Sequence, residues 1–141
     1  MNRSRQLALF GGMILIFSIF LPWATHTSPT LGLNNSINGY STDGAFGAIF
    51  GFIIILIAAM VKGRSEKRYS YIVAFLAIVA FYITFRTITT IGSVIRGSED
   101  VISSVRIGPY LSMLGALLSF IGGVMKVPPP LHDQKTSPPR S

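Results

Sequence analysis

Few residues in this chain are of types that do chemistry, and their spacing keeps most of them apart. Arg86 is the only ionisable residue inside an apolar run. A charge within lipid is costly and ordinarily marks a binding site, a relay or an ion pair. Tyr82, Thr89 and Thr90, with Ser93, share the helical face of Arg86 at steps of three and four and form a polar stripe with it. At about 1.5 Å per residue, Arg86 lies roughly 22 Å along its helix from Tyr71, near the outer edge of a ~30 Å hydrocarbon core. From that depth the side chain reaches the headgroups or pairs with Asp43, Glu99 or Asp100. An anchoring role is therefore expected for Arg86, with a solute or ion site as the alternative.

The remaining reactive groups do not form constellations. The sequence contains no cysteine, so thiolate metal sites, Fe–S clusters and thiol nucleophiles have no residue to use. His26 and His132 fall in segments expected on opposite sides of a membrane and do not meet at one metal or haem. Glu99 and Asp100 are adjacent in an exposed segment, whereas general acid–base work needs two positioned groups with separated pKa values. Serines and threonines are plentiful, but no internal histidine or lysine stands by to activate them. The expectation is no catalytic residue, no metal and no cofactor, hence not an enzyme.

The elements that would position these residues are apolar runs. Half of the 141 residues are hydrophobic and 12% are charged, against roughly a quarter charged in soluble domains. The mean hydropathy is +0.56. A net charge of +7 would suggest nucleic acid in a soluble chain, but cytoplasmic loop cations account for it without that partner. The organising stretch is a hairpin from Gly44 to Ile95, in which two apolar runs flank the basic turn Lys62-Gly63-Arg64-Ser65-Glu66-Lys67-Arg68. Four helices are expected, at about 7–24, 44–61, 70–95 and 108–126. The fold class expected is an all-α membrane protein, a four-transmembrane-helix bundle with both termini cytoplasmic and a small β element in the outer loops. Its domain would cover 1–126, with a Pro-rich cytoplasmic tail over 127–141. Charge distribution supports that topology. Arg3, Arg5, Lys62, Arg64, Lys67, Arg68, Lys126, Lys135 and Arg140 fall inside, and only Arg96 and Arg106 fall outside.

Local signals add detail. The basic start and first apolar run also fit a signal peptide, but the run closes in Leu21-Pro22-Trp23 without a small-x-small cleavage site, which favours a retained helix. Between Thr25 and Asp43 the chain is polar and turn-rich, and Asn38-Gly39 is placed to close a small hairpin between Ile37 and Tyr40. Asn34-Asn35-Ser36 matches a glycosylation sequon. Val101 to Ile107 is rich in β-branched residues and reads as a strand whose partner is the first outer loop. Asp43 is placed as N-cap of the second helix. Gly44, Gly47 and Gly51 then line one side of it, and Ser112, Gly115, Ser119 and Gly122 form a similar stripe on the fourth helix. Small residues at this spacing let neighbouring helix backbones approach closely.

Leu21-Pro22-Trp23 closing one helix, Thr42-Asp43-Gly44 opening the next, Gly108-Pro109-Tyr110-Leu111-Ser112-Met113-Leu114-Gly115 opening the last, and the closing Ile121-Gly122-Gly123 together form a pattern. On these residues the chain resembles a loose set of small, uncharacterised bacterial four-helix membrane proteins. The resemblance implies a protein of the bacterial cytoplasmic (inner) membrane and brings no activity with it. A claudin-like junction protein shares the outline, but its paired outer-loop cysteines and Trp-Gly-Leu-Trp run are missing here.

The function expected from these features is that of a non-catalytic accessory or assembly subunit of a larger membrane complex. A homo-oligomeric channel or small-solute transporter, or a surface-interaction protein acting through its outer loops, are the alternatives. The partners expected are the lipid bilayer and other transmembrane proteins, with a homo-oligomer as a further option and no nucleic acid.

Overall fold

The computed structural model describes residues 3–28, 30–60, 66–94 and 102–125. In chain order these form α1 (Arg3–Ser18), β1 (Pro22–Ser28), β2 (Leu33–Asn38), a single 3₁₀ turn (Gly39–Ser41), α2 (Gly44–Met60), α3 (Glu66–Val94), β3 (Ile102–Val105) and α4 (Ile107–Val124). α4 packs between α1 and α3, and α2 lies against α1 and α3 to complete a ring of helices. The three strands make one antiparallel sheet in the order β2-β1-β3.

This architecture corrects the expected fold class in two respects. The chain is not all-α, because a three-stranded antiparallel sheet is a principal element and holds two distant parts of the sequence together. Nor is it a four-span bundle. Among the described residues, only Ser70–Ile91 in α3 and Ile107–Val124 in α4 are long and apolar enough to cross a membrane. At 16 and 17 residues, α1 and α2 extend about 24–26 Å at 1.5 Å per residue, short of a ~30 Å core. The polar start Arg3-Ser4-Arg5-Gln6 also belongs to α1 and takes up its first turn.

The physical reason lies where α1 ends. The expected helix to Ala24 stops at Ser18, six residues early, and the chain turns extended at Pro22. Ser18 Oγ donates to Leu15 O at 2.7 Å, and Trp23 Nε1 reaches back to donate to Ser18 O at 2.8 Å. The indole thereby adds a second donor to the Ser18 carbonyl, which also accepts the Leu21 amide at 3.3 Å in the terminal turn. Pro22, which has no amide proton to continue the helix, then opens β1.

The hairpin also differs from expectation. It is formed by β1 and β2, paired from Ser28↔Leu33 to Pro22↔Asn38, and Gly32 in its turn takes φ 63°. That left-handed conformation suits glycine. Asn38-Gly39 instead leads into the 3₁₀ turn. β3 pairs with β1 through Ala24↔Val105, Thr25↔Ser104, His26↔Ser103 and Thr27↔Ile102. The strand expected around Val101–Ile107 thus joins the first outer segment. Residues of the expected tail, 127–141, lie outside the described residues.

The interior is built from small side chains. Among the described residues eleven hydrophobic side chains are buried, of which seven are alanines and the rest are Leu15, Trp23, Ile54 and Val73. The large residues face outward: eight of the ten phenylalanines are exposed. Phenylalanine is ordinarily among the residues most often buried in a water-soluble protein, so this distribution is inverted.

Candidate functional site

One end of the helical body is organised on Trp23, which is fully buried between the sheet and the helices. Three glycines from separate parts of the chain make room for its ring. A Cβ on Gly39 would lie 2.7 Å from Ile19 Cα and against the indole nitrogen. One on Gly44 would fall 2.6 Å from Trp23 Cζ2, and one on Gly108 would fall 2.6 Å from Trp23 Nε1. Trp23 O accepts the Arg106 amide at 3.0 Å, so the residue just before α4 is hydrogen-bonded to the indole's own backbone. Beside it, Thr25 Oγ1 lies 2.6 Å from Ser104 Oγ and accepts Arg106 Nε at 3.1 Å.

Below this collar, hydroxyls join helices. Thr84 donates to Ala80 O at 2.9 Å or shares its proton with Ser112 Oγ at 3.1 Å, both residues being buried. Thr87 Oγ1 bonds Ile83 O at 3.0 Å and approaches Asp43 Oδ2 at 3.3 Å. At the opposite end, Ser4 Oγ donates to Gly122 O at 2.7 Å and Ser70 Oγ donates to Gly123 O. Arg5 crosses to the last turn of α2 and donates to Ala58 O from Nε and Nη2, at 3.1 and 2.8 Å. A cation at a helix C-terminus meets both its open carbonyls and its dipole.

The residues singled out in the sequence distribute as follows. Gly51 packs on α1, where a Cβ would come 2.7 Å from Gly12 O. Gly115 packs on α1 beside Gly11 O, and Gly122 packs beside Ser4 O and the Ala8 amide. Ser112 lies at the centre with Thr84. Gly44 serves Trp23, whereas Gly47 is roomier, with Ser112 Oγ 3.5 Å from its would-be Cβ. Ser119 Oγ is buried without a hydrogen-bond partner among the described residues, hard against Gly11.

Tyr82, Arg86, Thr89 and Thr90 all face outward. Thr89 turns its hydroxyl back to Arg86 O at 2.7 Å. Asp43 faces Thr87 rather than Arg86, and Glu99 and Asp100 lie outside the described residues. The capping oxygen at the start of α2 belongs to Thr42, whose Oγ1 accepts the Gly44 amide at 3.3 Å.

Sequence reasoning missed the packing roles of Trp23, Thr84, Thr87 and Arg5. A signal for the threonines existed. Ala77, Ala80, Thr84 and Thr87 recur at steps of three and four on the small face of α3, the face that is buried. Among the described residues no cluster of three or more His, Cys, Asp or Glu is placed to hold a metal ion. Comparison with family models, curated proteins and solved structures returned no match, so the chemistry rests on this geometry alone. What the arrangement can do is hold helix backbones together through small residues and hydroxyls, while presenting a broad surface of Phe, Ile, Leu and Tyr to its surroundings.

Proposed function

We propose that this chain is a non-catalytic integral membrane protein that acts by helix packing, as an accessory or assembly subunit of a larger membrane complex. The observation that carries the reading is the inverted distribution of side-chain size: alanine, glycine and serine within, and eight of ten phenylalanines exposed. In water, exposed apolar patches beyond a few hundred Å² mark interaction sites or drive aggregation. In lipid the same surface is at no disadvantage, and helices associate through small residues and interhelical hydrogen bonds instead. α3 and α4 supply the lengths that cross a bilayer. Outside those two helices, α1 and α2 also carry exposed phenylalanines, Phe10, Phe17, Phe46 and Phe52.

An outward surface of aromatic and branched residues suits protein neighbours as well as lipid, which is why a subunit role is favoured. The test has two stages. Membranes containing the endogenous protein are first washed with alkaline carbonate, and retention in the pellet is expected. They are then extracted with mild detergent, and the native mass and comigrating proteins are measured. A stoichiometric set of other membrane proteins supports the subunit role. Release by carbonate would overturn the membrane reading. A lone species at a small multiple of the chain's own mass would overturn the subunit role.

A further inference from the structure

Along the outer face of α1 the surface passes from charged to apolar between Arg3 and Met13. Arg3, Gln6, Leu7, Phe10 and Met13 recur at steps of three and four, and with Met125 from the end of α4 they line a groove of about 610 Å³. That volume lies within the ~300–1,000 Å³ of small-molecule sites. Among the described residues no carboxylate lines the groove, and the one charge there is the guanidinium at one end. The neighbouring Arg5 leaves in another direction and is committed to Ala58 O. Arg3 makes no hydrogen bond to the described residues and is exposed. The groove therefore offers a cation and an amide at one end and about two turns of apolar side chains beyond them.

Resting on the membrane reading above, we propose that this groove binds one anionic phospholipid, its phosphate against Arg3 and Gln6 and an acyl chain along Leu7, Phe10 and Met13. Charge complementarity selects the headgroup, because a zwitterionic lipid brings its own cation to the same place. The apolar lining selects a chain-bearing ligand over a soluble anion. Snorkelling sets the depth, since an arginine at a helix end keeps its head at the interface while its stem lies on apolar surface.

The test is native mass spectrometry of the full chain released from vesicles containing equal parts of phosphatidylglycerol and phosphatidylcholine, with bound lipids counted by class. The wild-type chain should retain phosphatidylglycerol preferentially. Arg3→Gln should reduce that preference about fivefold, the effect of one cation near an anionic surface, and Arg3→Lys should keep it. Phe10→Ala should lower retention of lipid in the groove without exchanging the preferred class. Arg86→Gln, which removes an exposed cation elsewhere on the surface, should change nothing. An unchanged preference in Arg3→Gln would overturn the proposal, as would an equal loss in Arg86→Gln, which would show diffuse charge to be responsible. Failure of the wild-type chain to stay with the vesicles is a separate result, and it would overturn the membrane reading itself.

Discussion

Gly108→Ala adds a single methyl group at the point where α4 meets Trp23, and two opposing effects decide its sign. Alanine is a better helix former than glycine by up to about 1 kcal/mol, though less is gained here because Gly108 is in the first turn of α4. Against that, the new Cβ would overlap Trp23 Cδ1, sit 2.6 Å from Nε1 and come 3.0 Å from Pro22 O. The indole has no room to retreat, being fully buried, hydrogen-bonded to Ser18 O and bounded by Gly39 and Gly44. Overpacking of this kind costs about 1–3 kcal/mol, so a net loss of roughly 1–2 kcal/mol is expected. Because Trp23 is the sole tryptophan, its emission reports this site directly, and denaturant unfolding in detergent gives the stability. A double-mutant cycle with Trp23→Phe, followed by helical circular dichroism, isolates the contact. Phenylalanine lacks the five-membered ring that meets Gly108, so Gly108→Ala should cost about 1 kcal/mol less in that background. An equal cost in both backgrounds, or no cost in either, would refute the account of Trp23 as the element around which sheet and helices are closed.

Three further substitutions probe other contacts. Gly47→Ala should be neutral or stabilising by up to ~1 kcal/mol, because its Cβ meets only Ser112 Oγ at 3.5 Å, whereas Gly51→Ala meets Gly12 O at 2.7 Å and should cost about 1–3 kcal/mol; equal effects in the same unfolding assay would contradict the packing. Arg5→Met keeps the stem but removes the bonds to Ala58 O. It should destabilise by about 1 kcal/mol and raise amide exchange in the last turn of α2, with unchanged exchange as the contrary result. Thr84→Val leaves Ser112 Oγ buried without its partner and should cost about 1–3 kcal/mol. Adding Ser112→Ala should recover part of that loss, and a strictly additive double variant would show that the two hydroxyls do not act together.

Runs of apolar residues are enough to locate the four helices to within a few residues, except at the end of α1, since elsewhere each begins or ends near a change from polar to apolar sequence. The end of α1 is not legible, because continuity of hydropathy says nothing about an indole folding back onto Ser18 O. The stretch that follows, Ile19-Phe20-Leu21, is as apolar as the helix before it. The pairing of β3 with β1 follows from β-branched residues in one polar segment and turn residues in the other, but register depends on contacts far apart in sequence. In α3 the most conspicuous residue lies on the outward face, away from the packing. Arg86 draws attention to the face with Tyr82, Thr89 and Thr90, while the buried face carries Thr84 and Thr87 among alanines. Charge is visible in a sequence at any position. The role of an inward threonine depends on which face the neighbouring helix covers.

The glycines and the hydroxyls in this body are parts of one device. Where Gly122 and Gly123 bring α4 against α1 and α3, carbonyls on α4 come within reach of Ser4 and Ser70. A larger residue at either glycine would separate the backbones and lose the hydrogen bond with the packing. The same closeness excludes phenylalanine and leucine from most of the interior and sends them to the outer surface. Side-chain size on the outside is thus free of the demands that fix the inside. α4 shows the division most clearly: Ser112, Gly115, Ser119 and Gly122 are buried, and Tyr110, Leu114, Leu117, Ile121 and Val124 are exposed. Fold stability is carried by the first set, so the second set is available to recognise whatever lies beside the protein, and the two properties can change independently.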